Sequence, residues 1–421
     1  MTLTFNRTIL AVSASLFLYG CGSTALVSTP IENIDTVPLK TSALTEAEKK
    51  NWGHADLLSD TIPGMSVDKA YTDIIKNKKG EKVIVAVLDS GMDLDHEDLD
   101  GVLWVNKDEI AGNNKDDDNN GYVDDVHGYN FLGESYNEQL EMARIVDRKL
   151  GDADLQAKAK NALDADYQKA IQNKNQYEQI LQAVQNADSE VKAVLGKDTY
   201  TKEDLTQIET EDETMLRNIS ILMQMFTIKD SIPEVISELK SGVKHFSDQL
   251  NYNLNVDFDG RSMVGDDPYD INDLGYGNGN PNNRVEDESH GTHVAGIIAA
   301  ERNNGLGANG VAIMSIRAVP NGDEYDKDIA LGIRYAVDNG AKIINGSFGK
   351  AFSPNADWVY EAIKYAAEND VLFVHAAGNS GDDLDDPNNP NFPNDQINNG
   401  PEIADNVITV GALSSKYGSE M

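Results

Sequence analysis

Apolar and polar positions change their period along this chain, and each change predicts a different kind of element. Val83-Ile84-Val85-Ala86-Val87-Leu88 is an unbroken apolar run closed by Asp89. Such a run suits a strand buried on both faces of a parallel sheet, with Asp89 at its carboxyl edge, where open α/β folds place their sites. From roughly Glu134 to Asn255 the pattern becomes helical. Leu163, Tyr167, Ala170, Tyr177, Leu181, Val184, Val191 and Leu195 recur at alternating fours and threes, with Lys174 and Asp188 at the two interrupted places. That seam predicts one long helix packed against neighbours. Met142, Ile145 and Val146 predict a helix before it; Leu216, Ile219, Leu222, Met223 and Phe226 predict a third, and Val235, Ile236, Leu239, Val243 and Phe246 a fourth after Pro233. The expected object is a helical hairpin or small bundle. A stabilising decoration and a lid or docking arm over a cleft fit it equally.

Beyond the helical segment, Gly291, Thr292 and Gly296 surround His290 and lead into Val294, Ala295, Ile297, Ile298 and Ala299. These residues predict a small-residue helix start packed closely on a sheet. Alone, Asp89 would read as a helix-cap or turn aspartate, and His290 as a core histidine or metal ligand. Together they supply a general base and the carboxylate that fixes its tautomer, two of the three roles in a serine hydrolase.

Ser289-His290-Gly291-Thr292-His293-Val294-Ala295-Gly296, read with Ala86-Val87-Leu88-Asp89-Ser90-Gly91, resembles the subtilases, the subtilisin-like serine proteases. The resemblance continues in family order through Ala341–Gly349, Val371–Asn379 and Asn406–Ala412. It implies an α/β fold of three layers with a mostly parallel central sheet, incomplete at its C-terminus and carrying the helical segment as an insertion. Catalytic roles fall on Asp89, His290 and Asn379, the last as oxyanion donor. An extended polypeptide substrate is expected to lie between Ser347, Phe348 and Gly349 on one side and Asn321 and Gly322 on the other. The implied reaction is endopeptide hydrolysis through an acyl-enzyme. The family's nucleophile sits in a Gly-Thr-Ser-type motif further on, and no such motif occurs in the 421 residues. The expectation is a subtilase cut short before its serine, inactive as a fragment. The alternatives are a non-catalytic subtilase-like protein that holds a partner with its cleft and insertion, and a calcium-dependent surface interaction module.

Charge sharpens this picture. Lys and Arg number 35 against 71 Asp and Glu, a net charge of −36. That balance excludes a nucleic-acid partner, which needs clustered basic residues, and suits solubility and cation binding. In Asn113–Asp125, oxygen ligands alternate around Gly121. Asp116, Asp118, Asn120, the Tyr122 carbonyl and Asp124 match the first, third, fifth, seventh and ninth places of an EF-hand-like loop, with His127 where a bidentate Glu would stand. One structural Ca²⁺ is expected. A second acidic stretch, Asp382–Asp386, fits basic substrates, a solvated loop or another cation site.

The single cysteine, Cys21, excludes an intrachain disulfide. Arg7 and the short apolar stretch Ile9–Leu18 read as a secretion signal, and Leu18-Tyr19-Gly20-Cys21 resembles a bacterial lipobox. The expected organisation is a lipoprotein-type signal over 1–21, a polar linker over 22–50, a first core part with the calcium loop over 51–133, the insertion over 134–255 and a second core part over 256–421. An exported protein follows, either anchored in the cell envelope by lipid on Cys21 or secreted.

Overall fold

A computed structural model describes residues 37–78, 80–283, 288–302, 306–397 and 400–413. Cys21 and the apolar stretch before it lie outside the described residues. The chain divides into two compact units, residues 1–77 with 413–421, and residues 78–412. The smaller unit contains the short helices α1 (Glu46–Asn51), which lies almost wholly in the expected linker, and α2 (Leu57–Asp60) and α3 (Val67–Lys69), which the sequence division assigned to the first core part. Thr45 and Glu48 close a capping box at the start of α1.

The larger unit is built on six strands: β1 (Val83–Asp89), β2 (Gly128–Asn130), β3 (Val311–Arg317), β4 (Ile343–Gly346), β5 (Leu372–Ala376) and β6 (Val407–Val410). They lie in the order β2-β3-β1-β4-β5-β6, and every neighbouring pair is parallel. The apolar run ending at Asp89 is therefore a central strand. Its side chains alternate between two cores, which explains why the run has no polar face. Ala86 and Leu88 join Met314, Ile344 and Phe373 under α10 (Asp326–Asp338) and α11 (Ala356–Glu368). Val85 and Val87 join Ile313 under Ala295 and Ala299 of α9 (His290–Ala299). The architecture is a three-layer α/β fold.

Between β2 and β3 the chain makes α4 (Glu141–Arg148), α5 (Ala153–Leu195), α6 (Lys202–Thr206), α7 (Glu213–Met225) and α8 (Ile232–Asp248). The 43 residues of α5, at about 1.5 Å each, extend about 65 Å. Asp152 caps its first turn by accepting from the Leu155 amide, and Gly196 ends it in the left-handed conformation. Two cores share the length of α5. Met142, Ile145, Ala159, Leu163, Ala170 and Leu254 form the one beside the sheet. Val184, Val191, Leu205, Leu222, Ile232 and Val235 form the distal one. The seam is not uniform: Tyr167 is exposed, while the Tyr177 ring packs edge-on to Phe246. The helical segment closes on itself, since the Leu140 amide donates to the Asn253 carbonyl at 2.8 Å.

Candidate active site

Asp89 ends β1 at the carboxyl edge of the sheet, and His290 opens α9 beside it. The His290 Nδ1 to Asp89 Oδ1 distance is 2.7 Å; the Asp89 side chain is 1% exposed and that of His290 60%. The Ser90 amide donates to the same carboxylate oxygen at 2.8 Å. This hydrogen bond to Asp89 raises the His290 pKa, against the opposing effect of partial burial. A proton held on Nδ1 leaves Nε2 as the basic atom facing the cleft. No serine hydroxyl among the described residues bonds to it.

The glycine after His290 makes this approach possible. A Cβ on Gly291 would lie 2.1 Å from the Gly91 carbonyl oxygen and 3.2 Å from Asp89 Oδ1. Only a residue without a side chain lets α9 start so close to the end of β1. Thr292 adds a second tie, its Oγ1 accepting from the Asp93 amide at 2.9 Å.

Asp89 and His290 open onto a cleft of about 600 Å³. Asn321 and Gly322, beyond β3, line one wall, and Ser347, Phe348 and Gly349, beyond β4, the other. Asn379, exposed beyond β5, also borders it. All eight positions expected from the sequence for catalysis and substrate binding therefore meet in one place. His375, to which the sequence reading gave no role, donates through Nε2 to the Phe348 carbonyl at 2.7 Å. Burial pushes its pKa down to about 4, so it is a neutral donor holding the cleft wall from behind. A lone polar residue inside the apolar β5 run was its only sequence signal.

Helix α4 braces both walls. Arg144 Nη2 donates to the Asp323 and Glu324 carbonyls, each at 3.1 Å, and to Glu141 Oε2 at 2.8 Å. The Glu141 amide donates to Asp323 Oδ2 at 2.7 Å. From the other wall, Lys350 Nζ reaches Glu141 Oε2 at 2.7 Å, the Glu324 carbonyl at 2.8 Å and Asp326 Oδ1 at 2.9 Å. Arg144, Glu141, Lys350, Glu324 and Asp326 are all buried. Burial raises the pKa of Asp323, and takes that of Glu324 to about 8.

The acidic loop departs from the ligand set expected of it. Asp118 converges with Glu109 and Asp125, each offering a carboxylate oxygen within 4.8 Å of the others. Asp116 instead accepts from the Asn120 and Gly121 amides, and Asp124 from those of Asn113 and Asn114. Asn120 turns its oxygen to the Tyr122 amide and its nitrogen to Asp118 and Asp125. The Tyr122 ring packs between Tyr129 and Tyr335. Local turns thus claim Asp116 and Asp124, and the partners of Asp118 come from outside the expected register. Burial lifts the Asp125 carboxyl to about 6, and Glu109 Oε2 is buried with no hydrogen-bond partner. Three converging carboxyls with an orphaned oxygen fit a hard cation.

Residues 80–420 match the subtilase family, and the chain belongs to it. It is 38% identical over 162 residues to the thermophilic serine proteinase of Bacillus sp. (strain AK1), a match covering 37% of this chain and 34% of that protein. It is 43% identical over 109 residues to the cell wall-associated protease of Bacillus subtilis (strain 168), covering 25% of this chain and 12% of that one. Among solved structures, sphericase is similar at 36% identity with a TM-score of 0.20, covering 22% of this chain and 33% of the other. The chain thus spans about a third or less of the relatives it matches. No helix among the described residues is long and apolar enough to cross a membrane.

Proposed function

We propose that the protein is a serine endopeptidase that hydrolyses polypeptides through an acyl-enzyme. The observation that carries this reading is the 2.7 Å contact of a cleft-facing histidine with a buried aspartate. Asp89 holds the His290 ring with Nε2 outward and stabilises the imidazolium formed when that atom takes a proton. The proton comes from the attacking serine hydroxyl. Ser90 and Ser347 line the cleft, but Ser90 Oγ accepts from the Gly291 amide and Ser347 Oγ accepts from Asn345. Asn379 donates to the developing oxyanion, and the substrate backbone adds as a strand between Asn321-Gly322 and Ser347-Phe348-Gly349.

Glu109, Asp118 and Asp125 hold one Ca²⁺ in a structural role; the ion neutralises carboxyls that otherwise repel one another. Residues 134–255 are a helical insertion by which this chain departs from the family's simplest pattern, and Cys21 is the lipid-modified anchor of an exported protein. The test is labelling of the full-length protein by a fluorophosphonate probe. Labelling that disappears in His290→Ala is expected; a labelled His290→Ala protein, or an unlabelled wild type, rejects the peptidase reading.

A further inference from the structure

Among the described residues, the cleft is lined by four acidic residues, Asp89, Glu288, Asp323 and Glu324, and by no Lys or Arg. Two of the four are matched: Asp89 by His290, and Glu288 by the buried Arg317 at 2.7 Å. Asp323 and Glu324 are not. Asp323 uses only Oδ2, which accepts from the Glu141 amide. Glu324 is 2% exposed and its Oε1 is buried without a partner. The cations nearest this wall, Arg144 and Lys350, also serve Glu141 and Asp326, and Arg144 gives the wall only bonds to carbonyl oxygens. Burial takes the Glu324 pKa to about 8 and leaves that carboxyl largely protonated near neutrality, so two cations face three carboxylates, and the one left over, Asp323, borders the cleft.

We propose that the Asp323 carboxylate is a subsite for a basic side chain, so that the preferred substrates are polypeptides carrying Lys or Arg at the position lying against Gly322–Glu324. This rests on the peptidase reading and specifies its substrate class. The Asp323 carboxylate is fixed through one oxygen by the first amide of α4, which leaves the other free to accept from an ammonium or guanidinium group. The incoming charge makes good the local shortage of cations, and the hydrogen bonds it forms are of the strong, charge-assisted kind. Helix α4 thereby takes part in choosing substrates without touching them.

The test compares fluorogenic peptides that differ only by Lys, Arg, Leu or Gln at each position on the amino side of the cleaved bond, using the full-length protein. At one position the basic peptides are expected to exceed the neutral ones by about tenfold or more in kcat/KM. Asp323→Asn should bring that ratio towards one, whatever it does to the absolute rates, and Asp323→Glu should retain it. Equal cleavage of basic and neutral peptides by the wild type overturns the proposal, as does a preference that survives in Asp323→Asn. Cleavage of no peptide rejects the peptidase reading instead. In that case anisotropy of the labelled Lys and Leu peptides decides the subsite, and equal binding of the two overturns it.

Discussion

Replacing Lys350 with Met isolates the electrostatic weight of the brace behind the cleft. Methionine keeps most of the volume, so little of the effect comes from packing. The Lys350 side chain is 2% exposed and its ammonium touches carboxylates of Glu141 and Asp326, at 2.7 and 2.9 Å, and the Glu324 carbonyl. Removing one partner of a buried ion pair costs about 3–5 kcal/mol, because the remaining charge stays desolvated without its counter-ion. Glu141 keeps Arg144, and Asp326 keeps Ser353 and the Asn355 amide. These remaining partners place the expected loss at the low end, about 3 kcal/mol. Urea unfolding of the full-length protein measures it. Glu141→Gln should cost less in the Lys350→Met background than in the wild type, since the one charge it removes has by then lost one of its two cationic partners. The loss should also shrink in acid. The Glu324 carboxyl, raised from 4.5 to about 8, binds protons in the folded chain that the unfolded chain has released, so between those values stability rises as pH falls. Without Lys350 that window extends further upward. A Lys350→Met loss below about 1 kcal/mol, or strict additivity with Glu141→Gln, refutes the claim that these charges form one buried network.

Gly291→Ala should force the start of α9 away from Gly91 and Asp89; in an NMR titration the His290 pKa should fall towards 6.5, and an unshifted titration counts against the contact. Asp89→Asn should lower peptide hydrolysis by at least about a hundredfold. It should also move the acid limb of the rate profile to lower pH, because His290 acts as a base only when neutral and its pKa is raised chiefly by the Asp89 hydrogen bond. A limb that stays in place removes Asp89 from that role. For the acidic loop, Ca²⁺ should raise the melting temperature and EDTA reverse the gain, with the response lost in Glu109→Gln. Without the ion, stability should fall as pH rises from 3.8 to about 6, the range in which folded Asp125 retains a proton that the unfolded chain has released; a melting temperature indifferent to Ca²⁺ would leave the cluster without a ligand.

The meeting of Asp89 and His290 at one cleft was legible because its signals are local and the expected chemistry tolerates few residue types. Asp89 follows an unbroken apolar run, His290 is followed by a glycine, Gly291, that its approach to Asp89 requires, and parallel register carries the ends of β3, β4 and β5 to the same edge. The helices between β2 and β3 were legible for a similar reason, since periodicity survives in the spacing of Leu163, Ala170, Val184 and Val191, all buried. What stayed hidden depends on contacts between distant segments. Lys350 and Glu141 are 209 residues apart, and neither stands out as anything but a surface charge. The acidic loop misled because spacing records where oxygens occur, not which of them local turns have already used. Glu109, outside the register, is a partner that no loop template contains.

The Leu140–Asn253 hydrogen bond joins residues near the two ends of the helical segment. Everything between them is a detour that returns the chain to where it left. The entropic cost of closing such a detour grows only with the logarithm of its length. Evolution could therefore have lengthened, shortened or exchanged this arm while β2 and β3 kept their pairing. The distal core, far along α5 from the sheet, is the portion most open to divergence between lineages. Helix α4 is the portion least open to it, because changes there reach the cleft.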